Sequence, residues 1–402
     1  MERFNLPKTI AAVIAAITIT VVGGGSTAVA APPNLKDTVA ATLVAEKADE
    51  ARDSYGVSTS ANLSTLVETK RTSADGLWAF GGAVLKVPSS SHASPVTALF
   101  FAQRTMNGWE VALKGTEEFA EAARQAPDDI LRDEGERDVL AATAKPRTAL
   151  APTGLALPWA NGQGGWRHWG VHGNSGTSRP YNSIDFYGGD GQVRAAAGGY
   201  LYRYCGTSTP LIEIEHDNGW TTGYYHTWNQ TTVADGTKVG AYAYIGRIGE
   251  QLPCGGRANG DHVHWTLWQG NTAVTVNNKE IGGWTWHEQS QAYRGWASRN
   301  GVNIYNSDCC LTNYGPGSGT TTGRAHNPDG VVNVRTEPKA NATVLRTIAH
   351  DTEVELECYV RGDTMTGPWD NTSDVWDRLP GGGYVSDAWL DTGSDEPIVD
   401  PC

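Results

Sequence analysis

Two histidines one residue apart, in Gly260-Asp261-His262-Val263-His264-Trp265-Thr266-Leu267-Trp268, mark where this chain could do chemistry. The Val, Trp and Leu around them favour a strand, in which residues two apart project to one face, so His262, His264, Thr266 and Trp268 share a surface. Upstream stand His172, Asp185 and His226. Such a set suits a zinc site in which one histidine binds the ion and the other handles protons. Catalytic zinc uses three protein ligands and lowers the pKa of water to about 7. His172, Asp185 and His264 can fill the ligand positions, with His172 carried on a loop and Asp185 on a short extended run. No His-Glu-x-x-His pattern occurs, and Gly170 interrupts the spacing of His168 and His172, so a helix-borne site is excluded. His168 and Asp190 are the reserve ligands. His216, in Glu215-His216-Asp217 at a strand end, suits the surface or a turn. Trp268 could line a groove beside the histidines.

The elements that must position these residues are mostly strands. From residue 157 the composition turns Gly-, Trp- and Tyr-rich with short alternating runs, and strands are predicted at 199–205, 211–216, 221–227, 243–249 and 262–269. Asp217-Asn218-Gly219, Asp235-Gly236 and Gly255-Gly256 supply the turns. Before this region, residues 31–150 read as a small α+β unit without cysteine. Its predicted elements are a helix at 37–53, strands at 78–87, 96–103 and 109–113, and acidic helices within 116–142. The unit ends in Lys145-Pro146-Arg147-Thr148-Ala149-Leu150-Ala151-Pro152, a junction suited to proteolysis. It is expected to be a propeptide that keeps the chain latent by steric cover or by contact from His92 or a carboxylate. A Gly/Ser/Thr linker is predicted at 315–323, and five short strands within 324–402 predict a small β-barrel.

The start of the chain carries Arg3 and Lys8, an uncharged apolar run at 9–22 and then Ala28-Val29-Ala30, the pattern of a cleaved signal peptide over residues 1–30. The run is too short to span a bilayer comfortably. A secreted, extracellular, monomeric product without a membrane partner is expected. In an oxidising compartment the 6 cysteines predict disulfides. Cys205 is expected to pair with Cys254, and Cys358 with Cys402, while Cys309 and Cys310 leave several pairings open. The net charge of −13 is concentrated at the C-terminal end, where residues 324–402 hold 6 Lys+Arg against 15 Asp+Glu. Nucleic acid is thereby excluded as a partner, because phosphate binding rests on Lys and Arg.

The order His172, then Asp185, then Tyr224-Tyr225-His226, then Asp261-His262-Val263-His264 resembles the lysostaphin-type and β-lytic zinc endopeptidases that cut bacterial peptidoglycan. His172-Gly173-Asn174 and Pro180-Tyr181-Asn182-Ser183-Ile184-Asp185 bring it nearest to the β-lytic branch. The resemblance covers about residues 157–309. It implies a mainly β fold, with an antiparallel sheet domain over 151–314, one Zn2+ per chain held by His172, Asp185 and His264, and bacterial peptidoglycan as the partner. It further implies that His262 is the general base toward the attacking water and that His226 stabilises the oxyanion. Val332-Asn333-Val334-Arg335-Thr336-Glu337-Pro338 and Gly383-Tyr384-Val385 resemble a bacterial SH3-like module at 324–402. Two other functions compete: an inactive wall-binding protein, and an extracellular protease acting on Gly-rich proteins such as elastin.

Overall fold

The computed structural model describes residues 34–142, 153–206, 208–316, 321–369, 371–392, 397–399 and 401–402. The signal segment and the junction at 145–152 lie outside the described residues. Among the described residues every pairing between strands is antiparallel, and five sheets in four sets follow one another along the chain.

The first set is a meander. Helix α1 (Leu35–Tyr55) precedes β1 (Ser64–Thr72), β2 (Trp78–Lys86), β3 (Val96–Thr105) and β4 (Gly108–Leu113), and α2 (Glu117–Gln125) and α3 (Glu134–Ala141) follow. Strand β1 had no counterpart among the predicted elements. Alternation sorts the side chains of β2 and β3. Ala83, Leu85, Ala98 and Phe100 meet Val39, Leu43 and Ala51 of α1, whereas Phe80, Val84, Leu99 and Phe101 face the other way.

That second face is buried against the next sheet. Its members are β5 (Trp166–His172), β6 (Ser183–Gly188), β7 (Gln192–Arg194), β8 (Gly199–Tyr204), β9 (Leu211–His216), β10 (Trp220–Trp228), β11 (Thr237–Val239), β12 (Tyr244–Gln251), β13 (Val263–Gln269) and β14 (Thr272–Ala273). The main path runs β11-β8-β9-β10-β13-β6-β5, with β12 bridging β10 to β7. The predicted strand at 211–216 is reproduced residue for residue, and the other four shift by one or two positions. Tyr200, Tyr202 and Tyr204 of β8 share one apolar core with Phe80, Phe101 and Phe119. Burying an aromatic ring of this kind stabilises by about 1.5–3 kcal/mol.

Polar contacts close the same interface. Glu68 accepts from the N–H groups of Cys205 (2.9 Å) and Gly206 (2.6 Å), and Lys114 pairs with Glu215. The Thr97 hydroxyl donates to Glu213 (2.6 Å). Burial raises the Glu213 carboxyl; Thr97 and Lys114 oppose the shift, Glu215 adds to it, and the result is about 7 against an ordinary 4.5. A carboxyl that holds its proton more tightly when folded adds stability below pH 4.5 and loses it as pH rises through 7. Glu213→Gln is expected to remove a pH-dependent loss on the order of 3 kcal/mol between pH 5 and 8, read from urea midpoints of the full chain.

Beyond the central sheet, β15 (Glu280–Ile281), β16 (Trp284–His287), β17 (Trp296–Arg299) and β18 (Val302–Tyr305) form a four-stranded meander that was not predicted. Among its described residues the C-terminal part holds eight strands. A three-stranded sheet joins Thr321–Ala325, Glu353–Leu356 and Leu390–Asp391; a five-stranded one joins Val331–Arg335, Val344–Ala349, Cys358–Thr366, Thr372–Arg378 and Tyr384–Ser386. Thr321, Thr322 and Gly323, expected to be linker, pair with Leu356, Glu355 and Val354 instead. This part contacts the central sheet through Lys238 and Asp391 (3.1 Å). Cys205–Cys254 and Cys358–Cys402 are bonded as expected, and Cys309 bonds Cys310. Among the described residues, no helix is long and apolar enough to cross a membrane.

Candidate active site

Strand β13 places its odd and even residues as alternation requires. Val263, Trp265 and Leu267 enter the apolar core, while His262, His264 and Thr266 take the opposite face. His262 lies just ahead of the strand and is bridged to Gly249 by two backbone bonds. Trp268 is buried, donates its indole N–H to Thr266 Oγ1 (3.0 Å), and stands apart from the cavity residues, so it does not line the groove.

Asp185 is the register partner of His264 across β6 and β13. His172 was expected on a loop, yet it ends strand β5, whose pairing slips between His168 and Val171. Gly170 at φ +86° makes that slip, and a Cβ there would stand 2.5 Å from the Tyr293 carbonyl carbon's oxygen. The bulge turns His172 inward. His226, with φ +68°, sits at the corresponding irregularity of β10 opposite Gln251.

These elements gather one donor cluster. Asp185 Oδ1 lies 3.2 Å from His172 Nε2 and 2.8 Å from His264 Nδ1, and the ligand atoms of the three residues all lie within 4.8 Å of one another. Ligand bonds of about 2.0–2.2 Å at tetrahedral angles separate donor atoms by roughly 3.3 Å, close to these edges. His172 Nδ1 donates to the Gly173 carbonyl (2.9 Å), which leaves a lone pair on Nε2. His172 Nε2 is buried without a hydrogen-bond partner, as an orphaned atom beside an ion site is. Burial works to raise the Asp185 carboxyl, but the neighbouring His172, His262 and His264 hold it well below the usual carboxylate range. The residues present fit a divalent metal.

Two further imidazoles border the cluster. His262 Nδ1 donates to the Gly260 carbonyl (2.7 Å) and its Nε2 lies 3.7 Å from Asp185 Oδ1. His226 Nδ1 donates to the Gln251 carbonyl (2.9 Å), and its ring is 4.7 Å from that of His262. A carbonyl only accepts, so both rings carry the Nδ1 proton and keep Nε2 as the free atom. Burial, then the charges of His262 and His264, push His226 down to about 3.

The reserve ligands lie elsewhere. His168 is buried against Trp286, its Nδ1 accepting from the Gly170 N–H (2.9 Å) and its Nε2 set 3.2 Å from the Ile304 carbonyl. Asp190 is exposed and caps the Gln192 N–H (2.9 Å). His216, expected at the surface, is 1% exposed and bonds the Gly198 carbonyl (3.0 Å) and Thr222 Oγ1 (2.7 Å). Gly198 and Thr222 close over its strand end, so it holds the core rather than a metal.

A cavity of about 360 Å3 opens over the cluster and brings in residues that pattern reading missed. Tyr293 lies parallel to His172 at 4.4 Å, and Trp169 packs on His262 at 4.8 Å. Asn306 fixes both, donating Nδ2 to the carbonyls of Trp169 (3.0 Å) and Tyr293 (2.7 Å). Arg257 and Asn259 complete its mouth, and His92 reaches it from the N-terminal unit. Trp169, three residues before His172, carried a signal in its proximity; Tyr293 and Asn306 arrive from the unpredicted sheet and carried none.

Residues 179–276 match the model of peptidase family M23. The match begins after His172 and includes Asp185, His226, His262 and His264. The chain is 31% identical over 170 residues to beta-lytic metalloendopeptidase of Lysobacter enzymogenes, covering 38% of this chain and 93% of that protein. It is 32% identical over 148 residues to protease LasA of Pseudomonas aeruginosa, covering 34% of each. Only about a third of LasA is therefore spanned. A solved structure described as a novel M23 metalloprotease, pseudoalterin, from the deep sea is 30% identical, covering 39% of this chain and 97% of that one at a TM-score of 0.36. The Lysobacter enzymogenes relative, matched over 93% of its length, and the family model together mean that the chain belongs to peptidase family M23.

Proposed function

We propose that this chain is a secreted zinc metalloendopeptidase that hydrolyses peptide bonds in the stems or cross-bridges of bacterial peptidoglycan. The observation that carries the reading is the convergence of His172, Asp185 and His264 beneath two imidazoles whose Nε2 atoms are free. When bound by those three residues, a zinc ion supplies Lewis acidity that brings the pKa of water to about 7 and polarises a carbonyl. His262 then takes the proton of the attacking water at Nε2, because its Nδ1 proton is committed to Gly260. The same bond type in His226 means that its Nε2 donates to an oxyanion only when the ring is doubly protonated. Trp169 and Tyr293 hold the rings of His262 and His172 in place by packing on them.

Residues 31–150 act in this reading as a propeptide, 151–314 as the peptidase domain, and 324–402 as an SH3-like module directed to the wall. Three disulfides suit an extracellular setting. Elemental analysis of the processed chain is expected to find one zinc per chain, with clearing of a Gram-positive wall suspension that stops when a chelator is added. Zinc without clearing would return the substrate to the elastin-type alternative, and folded protein without zinc would sink the enzyme.

A further inference from the structure

The segment joining β2 to β3 leaves its own sheet and crosses to the metal cavity. At its start the Val87 N–H donates to the Cys254 carbonyl (3.0 Å), and Val87 lies beside Gly255 as in a parallel ladder. Gly255 has φ +93°, and a Cβ there would collide with the Val87 carbonyl, so the glycine lets two backbones approach. At the other end the Ser94 N–H donates to the Asn174 carbonyl (2.6 Å), and Asn174 Nδ2 donates back to the Ser94 carbonyl (3.3 Å). Between these grips the tip at Ser89 and Ser90 is exposed, and His92 reaches the wall of the cavity.

The two anchor points lie on different segments, each leading to residues of the site. Cys254 and Gly255 lie on the connection from β12 to His262, and Asn174 lies on the chain that leaves β5 just after His172. Residues 87–95 contain no Asp, Glu, Lys or Arg, and both grips use their backbone. Edges that hold a backbone do not discriminate among side chains, so they suit any extended peptide. His92 is exposed and outside the three-donor cluster, so the segment meets the cavity without adding a metal ligand.

We propose that Cys254-Gly255 and Asn174 are the edges at which the processed enzyme holds the backbone of its peptide substrate, and that residues 87–94 occupy them in the intact chain as a built-in surrogate. This rests on the metallopeptidase reading above. Its consequence is selective: a small ligand reaches the metal of the intact chain, whereas a peptide long enough to need both edges does not.

The test uses the full-length chain loaded with cobalt, carrying a site-specific protease sequence inserted between Ser89 and Ser90. The protein folds first and the strap is cut afterwards, with the rest of the N-terminal interface intact. Acetohydroxamate and the hydroxamate of tetraglycine are titrated against the visible spectrum before and after the cut. Acetohydroxamate affinity is expected to change less than about twofold, while the tetraglycine probe tightens at least about tenfold once the competing segment is freed. Asn174→Ala in the cut chain is expected to forfeit most of that gain. Equal affinity for the longer probe before and after cutting overturns the proposal, as does exclusion of acetohydroxamate from the uncut chain. Unchanged peptide affinity in cut Asn174→Ala removes Asn174 from the edge and overturns it as stated. A chain that takes up no cobalt fails the metallopeptidase reading itself, and the inference falls with it.

Discussion

His262→Ala is expected to lower kcat on peptide substrate by about 10²–10⁴-fold while metal content and fold are retained. The ring belongs to no part of the three-donor cluster, and its removal leaves His172, Asp185 and His264 in place. What disappears is the Nε2 acceptor that its bond to Gly260 keeps unprotonated. The side chain packs on Trp169 and against His226, so alanine also leaves space over the cleft. Far-ultraviolet circular dichroism, elemental analysis and initial rates on one preparation separate these effects. Full activity would remove His262 as the base, and metal loss would make it a ligand.

The second large effect is at Asp185. Asp185→Asn keeps the volume but removes the charge that faces His172, His262 and His264 at 3.2, 3.7 and 2.8 Å. Two imidazoles do not complete the three-ligand set, so metal content is expected to fall below about a tenth of an equivalent and activity to background. Adding excess zinc should not restore wild-type rates. The carboxylate is the one acid among the described residues that line the cavity. A variant that keeps one equivalent of metal would place the ligand set elsewhere.

Local rules made much of this legible. The alternation of His262, Val263, His264 and Trp265 follows from strand geometry alone, and Asp217-Asn218-Gly219 marks the end of β9. The sequence was less informative where neighbours override local signals. Gly170 and Gly173 around His172 predict a loop, yet a bulge keeps it in β5. His216 looked like a surface residue beside Asp217, but the chain at Gly198 and Thr222 closes over it. The strand at 64–72 is largely polar and half exposed, so its pattern carried little apolar periodicity.

Residue type and spacing by themselves determined the chemistry available to this protein: three donors and two spare imidazoles, their order, and the strand that carries two of them. Tertiary structure alone decided that His168, Asp190 and His216 stay out of the cluster, and that Tyr293, Asn306 and His92 line the cavity over it. The physical reason is range. Strand alternation and turn formation are set by neighbours a few residues away, whereas the cleft is made by bulges, ring packing and backbone bonds between segments 80 to 170 residues apart, such as Ser94 with Asn174 and Val87 with Cys254.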